Sequence, residues 1–221
     1  MPTQTYTLSK LQMYDECPQK YKLCYIDKVH IIEPPNNSSQ KGNNLHNIIN
    51  YSLKGMDVTK LLGALTAQEK LLWHNFKTSD IKNYKYVASE YSFNLKLDEY
   101  WLTGRIDALF EYDGNFIIID WKTGEYFSPE NVKFQTSFYL LCIYEILKAK
   151  NIIKTPEELS LHYVDLASNS VVKIKFDDFS YTQYKNQILT IINKINEGKS
   201  FFCNKTAKCK NCRYYRACPY L

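Results

Sequence analysis

The feature that most constrains the fold is a short apolar run between a tight turn and an acidic residue. Residues 116–119 read Phe-Ile-Ile-Ile, so a strand here would be apolar on both faces, as central strands of covered sheets are. Asp113-Gly114, just before the run, is a typical hairpin turn, and residues 100–112 alternate like a strand. The sequence therefore predicts an antiparallel strand pair whose second strand lies in the middle of a sheet.

Periodicity elsewhere adds helices and further strands to this pair. Strands are predicted at residues 86–97, 100–112, 115–121, 161–166 and 171–176, and helices at 8–25, around 45–53, 59–76, 129–150 and 178–197. Cys17-Pro18 marks a helix–helix junction, because proline suits the first turn of a helix, and residues 33–42 are a loop by composition. This order predicts an α/β fold with a mixed central β-sheet flanked by helices.

The length of 221 residues suits a single domain around one hydrophobic core. We divide it into a helical N-terminal part (1–80), a core (81–197) and a Cys-rich basic C-terminal segment (198–221). No stretch reaches the roughly 18 apolar residues of a membrane span, and the N-terminus does not resemble a signal peptide. We therefore expect a cytoplasmic protein in a reducing compartment, with no membrane partner.

The C-terminal segment is basic although the net charge of the chain is only +5. From residue 198 onward it has six basic residues and no acidic one, with aromatic residues interleaved. Positive charge beside aromatic rings suits a nucleic-acid backbone with bases that can stack, while the alternative is a solvated tail around a metal site. The basic residues are Lys199, Lys205, Lys208, Lys210, Arg213 and Arg216.

Two carboxylates and a lysine carry the strongest chemical signal. Asp107 lies on the second predicted strand, Asp120 ends the third, and the hairpin between them brings the two strands together. Lys122 is two residues after Asp120, so both side chains share one face of the strand. Paired carboxylates repel unless a cation lies between them, and Mg²⁺ or Mn²⁺ is the usual cation for oxygen ligands. The carbonyl of Trp121, between the two side chains, is a further expected ligand. The alternative is a buried aspartate–lysine salt bridge beside a hairpin.

The order of the motifs around these residues resembles the RecB-type branch of the PD-(D/E)XK nucleases. That branch includes the nuclease domains of bacterial recombination helicase–nucleases and small CRISPR-associated exonucleases of spacer acquisition. The resemblance covers nearly the whole chain. Its matching segments are Gly42-Asn43-Asn44-Leu45-His46, Gly104-Arg105-Ile106-Asp107, Asp120-Trp121-Lys122, and Gln135 to Tyr139 on the following helix.

The resemblance implies a restriction-endonuclease-like core and a set of roles. Asp107, Asp120 and Lys122 would be catalytic, and His46 would join the two aspartates as a metal ligand. Gln135 and Tyr139 would flank the site or contact DNA. Glu90, on the first strand, stands where related enzymes often have an acidic residue, and is equally compatible with an ordinary salt bridge.

Seven cysteines, an odd number, argue against a disulfide framework in a cytosolic protein. Cys209, Cys212 and Cys218 have metal-ligand spacing, and Cys17 and Cys203 compete to supply a fourth thiolate, with Cys24 behind them. The Cys203 set would suit structural zinc. By resemblance to the iron–sulfur members of the RecB-like branch, which have one Cys-Pro near the N-terminus, Cys17 is the fourth ligand of a [4Fe–4S] cluster. The remaining two, Cys24 and Cys142, are expected in the core.

The expected function is metal-dependent hydrolysis of DNA, as an exonuclease on single-stranded ends, in CRISPR adaptation or in repair and recombination. No Walker-type phosphate loop is present, so a helicase or CRISPR adaptation partner would have to supply any unwinding. Two rivals stay open. One is a catalytically idle DNA-binding or scaffold subunit, and the other is a zinc-stabilised interaction module.

Overall fold

A computed structural model describes residues 5–31, 37–124, 128–199 and 201–220, and in 37–43 only the backbone. It has one mixed six-stranded sheet with helices on both faces, which confirms the predicted fold class. No helix in the described part of the chain is long and apolar enough to cross a membrane. The strands are β1 (Thr5–Thr7), β2 (Lys85–Leu97), β3 (Tyr100–Tyr112), β4 (Asn115–Lys122), β5 (Leu159–Asp165) and β6 (Ser170–Lys175).

The α-helices fall into three places in the chain, between β1 and β2, between β4 and β5, and after β6. A π-helical turn (Lys22–Ile26) continues α2, and short 3₁₀ turns, two of them in the C-terminal segment at Ala207–Asn211 and Tyr215–Ala217, complete the described elements. The α-helices are α1 (Leu8–Glu16), α2 (Pro18–Tyr21), α3 (Asn37–Leu53), α4 (Thr59–Gly63), α5 (Ala67–Thr78), α6 (Lys133–Ala149) and α7 (Asp178–Glu197).

The strand β3 organises the sheet because it has three partners. The strand β2 pairs with it antiparallel along its whole length. On its other edge, β1 pairs in parallel with residues 101–103 and β4 pairs antiparallel with residues 108–112. From there β4 pairs in parallel with β5, and β5 pairs antiparallel with β6. Residues 104–107 of β3 therefore lie between the two shorter partners.

Two hydrophobic clusters cover the two faces of the sheet. The larger one joins α1, α6 and α7 to the sheet, and Phe138, Leu140 and Ile188 are fully buried there. The smaller one joins α3 and α5 to the opposite face around Ile49 and Ile119. Because β4 contributes Ile118 to one cluster and Ile119 to the other, the run at 116–119 is covered on both faces, as predicted.

Two predictions for the helical N-terminal part were wrong. Residues 37–42 belong to α3 rather than to a loop, because a helix stabilised by its packed apolar stripe extends through residues of low helix propensity. The helix predicted at 59–76 is two helices. Thr66 caps a new one by accepting from the Glu69 N–H, and the Glu69 carboxylate accepts from the Thr66 N–H in return. Residues 33–36 lie outside the described part of the chain.

The strand β1 was not predicted at all. It has only three residues, and its pairing with β3 joins positions nearly a hundred residues apart, so no local periodicity reveals it. The junction at Cys17-Pro18 is confirmed, since α1 ends at Glu16 and α2 begins at Pro18.

Gly104 on β3 has no room for a side chain, which gives a test of the packing above the site. A Cβ there would lie 2.6 Å from Cζ of Phe93 and 3.1 Å from Cε1 of Phe138. We expect Gly104→Ala to lower the free energy of unfolding by about 1–3 kcal/mol, as overpacking does. The measurement is urea denaturation, with Gly63→Ala as the control, because nothing lies within 4 Å of a Cβ at Gly63. Equal losses in the two variants would contradict this account.

Candidate active site

Asp107 and Asp120 face each other where two paired strands separate. The last pair between β3 and β4 is Ala108 with Ile119, so the two aspartates occupy the next position on each strand. There β4 leaves β3 and continues beside β5, with Asp120 opposite Tyr163. The Asp107 carboxylate accepts a 2.9 Å hydrogen bond from the Trp121 N–H. Where the two strands separate, a side chain of β3 thus takes the place of a backbone acceptor.

The alternation of β3 is interrupted at Asp107. Ile106 belongs to the larger cluster and Ala108 to the smaller one, although strict alternation would put both on one face. Opposite Asp107, between the pairs Ser89–Ala108 and Tyr91–Ile106, lies Glu90 with φ +48°. A non-glycine residue in this left-handed region is strained, and such strain concentrates at functional sites. The irregularity brings the Glu90 and Asp107 carboxyls to one place.

Asp120 is a buried charge with incomplete compensation. It is only 4% exposed, and its Oδ1 accepts a 2.6 Å hydrogen bond from Gln135 Nε2. Lys122 Nζ forms a salt bridge with Oδ2 at 2.6 Å, although the angles are poor for a hydrogen bond, and no other described residue donates to this buried oxygen. Burial first, and the Asp107 charge second, raise the pKa of Asp120 to about 6, against the opposing effect of Lys122.

Lys122 is held by three groups. Its ammonium donates to Gln135 Oε1 at 3.3 Å, lies beside the Asp120 carboxylate, and sits 5.1 Å from the ring centroid of Tyr163. The Tyr163 hydroxyl is paired with Thr136 Oγ1 at 2.9 Å, so α6 fixes this ring as well as Gln135. The ammonium therefore has a defined position on the α6 side of the sheet.

A second group of ligand-type atoms lies on the α3 side. The ligand atoms of His46, Glu90 and Asp107 all lie within 4.8 Å of one another. His46 Nδ1 is 3.3 Å from Asp107 Oδ2. Burial lowers the pKa of His46, but the hydrogen bond to Asp107 and the charges of the nearby carboxylates outweigh it and raise that pKa overall. The predicted metal ligands His46 and Asp107 therefore meet here with Glu90.

This arrangement fits a divalent cation. The His46 imidazole and the Glu90 and Asp107 carboxylates converge within 4.8 Å, and the buried Asp120 Oδ2 has only the Lys122 ammonium as a partner within the described ranges. Oxygen-rich sets of this kind suit Mg²⁺ or Mn²⁺, and a cation would offset the cost of placing carboxylates side by side. The trio of His46, Glu90 and Asp107 shares two members, His46 and Asp107, with the predicted metal ligands. Asp120, which was also predicted as a ligand, is not part of the trio.

Other predicted residues surround this centre. Tyr139, one turn after Gln135 on α6, is almost fully buried, and burial together with the Asp120 charge raises its pKa. Its hydroxyl is hydrogen-bonded to Gln135, so it supports the amide that holds Asp120. Arg105 had no predicted role, and it binds Glu90 through Nε at 2.9 Å while remaining largely exposed beside the site. The sequence feature that could have indicated Arg105 is its position two residues before Asp107 on the same strand.

The cysteine-rich part of the chain forms a separate cavity of about 840 Å³. Five of the seven cysteines line it, together with residues from α1, α2 and the C-terminal segment. They are Cys17, Cys203, Cys209, Cys212 and Cys218, so both competitors for the fourth ligand position are present. The walls are joined by two hydrogen bonds, from the Gln19 N–H to the Phe202 carbonyl and from the Asn204 amide to the Glu16 carbonyl.

The remaining cysteines differ from each other. Cys142 is fully buried in α6, as predicted. The prediction that Cys24 is a core residue was wrong, because its thiol is partly exposed and lies 3.4 Å from the Arg213 guanidinium. Cys203 contacts both Cys17 and Cys218, and burial with these neighbouring thiols raises the pKa of Cys203.

Comparison with known families identifies the wider relationship. The family model described as the PD-(D/E)XK nuclease superfamily matches residues 61–219, well over half of the chain. The chain belongs to the PD-(D/E)XK nuclease superfamily. Members of this superfamily are phosphodiester hydrolases that use divalent metal ions. The match includes Asp107, Asp120 and Lys122, whereas His46 and Cys17 lie before it.

Two solved structures share the fold of this PD-(D/E)XK chain. The protein SSO0001 superimposes with a TM-score of 0.52 and 17% identity, covering 98% of this chain and 86% of that one. A protein from Eubacterium rectale that bears the name "Putative exonuclease" gives a TM-score of 0.52 and 11% identity, covering 93% and 86%. At these identities the likeness concerns the fold alone. A comparison with curated proteins gives no match.

The trio at the site can be tested by metal binding alone. We expect Glu90→Gln to weaken Mn²⁺ binding by about tenfold or more, the scale seen when the surroundings of a metal are altered. Glu99→Gln is the matched control, because Glu99 is exposed and lies in the β2–β3 turn at the far end of the ribbon. Isothermal titration of both variants and the wild type gives the affinities. Unchanged Mn²⁺ affinity in Glu90→Gln would remove Glu90 from the ligand set.

Proposed function

We propose that this chain is a metal-dependent deoxyribonuclease that acts as an exonuclease on single-stranded ends. The observation that carries the proposal is the buried, incompletely compensated Asp120 carboxylate, which faces Asp107 and lies beside the Lys122 ammonium. A salt bridge built only for stability would not place a second carboxylate opposite the buried one, where the two negative charges repel each other. The membership of the nuclease superfamily supports the same chemistry.

His46, Glu90 and Asp107 would hold Mg²⁺ or Mn²⁺, with Asp120 and the Trp121 carbonyl completing the set. When bound, such a cation withdraws charge from the phosphodiester and makes water more acidic. The Lys122 ammonium orients the attacking water or stabilises the negative charge that develops on the phosphate. Gln135 keeps both side chains at fixed positions, because its Nε2 donates to Asp120 and its Oε1 accepts from Lys122.

The substrate and the partners follow from charge and from the resemblance in sequence. The C-terminal segment is basic and partly aromatic, which suits a single strand better than a rigid duplex surface. Arg105, exposed beside the site, is placed to contact a backbone phosphate. We propose a cytoplasmic role in CRISPR adaptation or in repair and recombination, together with a helicase or adaptation partner that supplies the ends.

An idle DNA-binding or scaffold subunit is the rival proposal. It would need no ordered set of ligand atoms, whereas here Glu90 is held in a strained conformation that brings it to His46 and Asp107. Such strain costs about 1–3 kcal/mol and persists only where the surroundings enforce it. This observation favours the enzyme.

Cleavage assays with matched variants test the enzyme. We expect Asp120→Asn and Lys122→Met each to slow Mn²⁺-dependent cleavage of end-labelled single-stranded DNA by roughly 10²-fold or more, the scale for losing one stabilising group. Lys150→Met is the control, because Lys150 is exposed at the end of α6. Reactions with EDTA define the metal-independent background.

The same variants separate catalysis from folding. Burial and the Asp107 charge raise the pKa of Asp120 to about 6, so the ionised carboxylate disfavours folding at neutral pH, and Asp120→Asn should melt without metal at or above the wild-type temperature. Full cleavage by both active-site variants in a nuclease-free preparation would show that the assignment is wrong. A folded wild type that does not cut DNA with either metal would favour the scaffold subunit.

We also propose a [4Fe–4S] cluster held by Cys17, Cys209, Cys212 and Cys218. Tetrahedral zinc has Zn–S distances of about 2.3 Å, so its sulfurs lie within about 3.8 Å of one another. In the described part of the chain, no three cysteine sulfurs lie within 4.8 Å of one another, and the cavity that they line is large. Both observations support a bulkier group than one zinc ion. Cys17 precedes Cys209 by 192 residues, so the group would close a very long loop.

Single cysteine substitutions test the cluster. We expect Cys17→Ser and Cys212→Ser to lose the brown absorbance of the anaerobically purified protein and to lower its melting temperature. Cys203→Ser and Cys24→Ser should keep the colour, because Cys203 would be a neighbour of the ligands and Cys24 lies outside the cavity lining. Metal analysis that finds one zinc and no iron, or bleaching by Cys203→Ser with colour kept in Cys17→Ser, would overturn this ligand set.

A further inference from the structure

A second groove lies next to the cysteine cavity and has no part in the proposed chemistry. Its volume is about 480 Å³, and it shares only Gln19 with the lining of the cysteine cavity. Lys22 and Lys199 provide its charge, and none of the described residues that line it is acidic. Its aromatic lining comes from Phe201, Phe202 and Tyr220. We call it the C-terminal groove.

The two neighbouring phenylalanines of the groove have different tasks. Phe201 packs inward, with its ring stacked on that of Tyr21 and edge-on to that of Tyr14. Phe202 is 55% exposed, and its carbonyl accepts a 3.1 Å hydrogen bond from the Gln19 N–H. The backbone is therefore fixed on both sides of an exposed ring. Tyr220 adds a second ring that is 44% exposed.

The lysines of the groove also differ. Lys22 Nζ lies 2.6 Å from Asp27 Oδ2, so part of its charge is already offset. Lys199 has no carboxylate within salt-bridge distance among the described residues, and it follows directly on α7. One uncompensated cation beside two exposed rings matches one phosphate and the flat bases next to it.

We propose that the C-terminal groove binds a single-stranded segment of DNA, with bases on Phe202 and Tyr220 and a phosphate at Lys199. The inference rests on the proposed function, because a groove that binds single-stranded DNA serves a protein that cleaves single-stranded DNA. It adds a contact outside the active site, formed by the same segment whose cysteines line the neighbouring cavity. The groove would keep hold of the strand while the active site releases a product.

Binding without cleavage tests the groove. In EDTA, fluorescence anisotropy compares a labelled oligothymidylate with an abasic deoxyribose-phosphate strand of equal length. We expect the Phe202→Ala, Tyr220→Ala double variant to bind the thymidylate about fivefold to 150-fold more weakly for each base that loses its stacking partner. Its affinity for the abasic strand should stay at the wild-type value. Lys199→Glu should weaken both, and should reduce the salt dependence of log K by about 0.7 for one phosphate.

Two matched controls lie outside the groove lining, Phe179 at the other end of α7 and Lys150 at the end of α6. Phe179 is 75% exposed in the first turn of this helix, which at about 1.5 Å per residue puts it roughly 30 Å from Lys199. Phe179→Ala and Lys150→Glu should bind both strands like the wild type. Melting temperatures of all variants show that they are folded, and Phe201 is left intact because it packs inward.

The outcomes separate this inference from the proposed function. Wild-type thymidylate affinity in the double variant, from a protein that cuts DNA, would overturn the groove and leave the nuclease in place. Loss of binding in the double variant, from a wild type that never cuts, would support the groove and overturn the nuclease proposal. Competition by polyglutamate as effective as that by unlabelled thymidylate would show a general anion site, and would overturn base recognition.

Discussion

The site depends on the hydrogen bond between the Trp121 N–H and the Asp107 carboxylate. Up to Ala108 and Ile119, the two strands exchange ordinary backbone hydrogen bonds. Beyond that pair, β4 no longer pairs with β3 and continues beside the parallel strand β5, which is covered on both faces. The edge of β3 at Asp107 therefore has no backbone partner from β4. A carboxylate satisfies the amide that this separation would leave unpaired, as buried backbone donors require. One residue thus completes the sheet and presents an anion at the site.

The two sides of the site have different supports. On the α6 side, Asp120 and Lys122 are held by Gln135, and the ring of Tyr163 lies near the ammonium. On the α3 side, His46 reaches Asp107 from a helix packed on the opposite face of the sheet. Both helices must pack for Gln135 and His46 to reach the carboxylates, so the site depends on the two cores rather than on a loop.

Local sequence patterns were enough for much of this arrangement. The apolar run, the hairpin turn and the two-residue spacing of Asp120 and Lys122 depend only on strand geometry, so they predict the strands and the shared face. The place of Glu90 beside His46 and Asp107 could not be predicted in this way. It requires an interruption of alternation on two strands at once and a positive φ at a glutamate, which no propensity indicates.

The parts that sequence reasoning missed share a physical cause. The strand β1, the break between α4 and α5, and the extension of α3 are decided by partners far along the chain or by capping at one residue. The C-terminal segment is similar, since its path is fixed by Gln19 and Glu16 from the opposite end of the sequence. Spacing predicts that Cys209, Cys212 and Cys218 act together, but only the fold shows that Cys17 and Cys203 are both beside them.

The contact between the two ends of the chain has a consequence for synthesis on the ribosome. Domains fold as the chain emerges, from the N-terminus onward. Here Cys17 on the N-terminal side of the cavity is synthesised long before the opposite wall, which is formed by Cys209, Cys212 and Cys218. Until the C-terminal segment emerges, the Cys17 thiol lacks that wall, and the rings of Tyr14 and Tyr21 lack their contact with Phe201. A chain that has emerged only as far as α7 contains every described strand of the sheet, yet it lacks most of the residues that line the cavity.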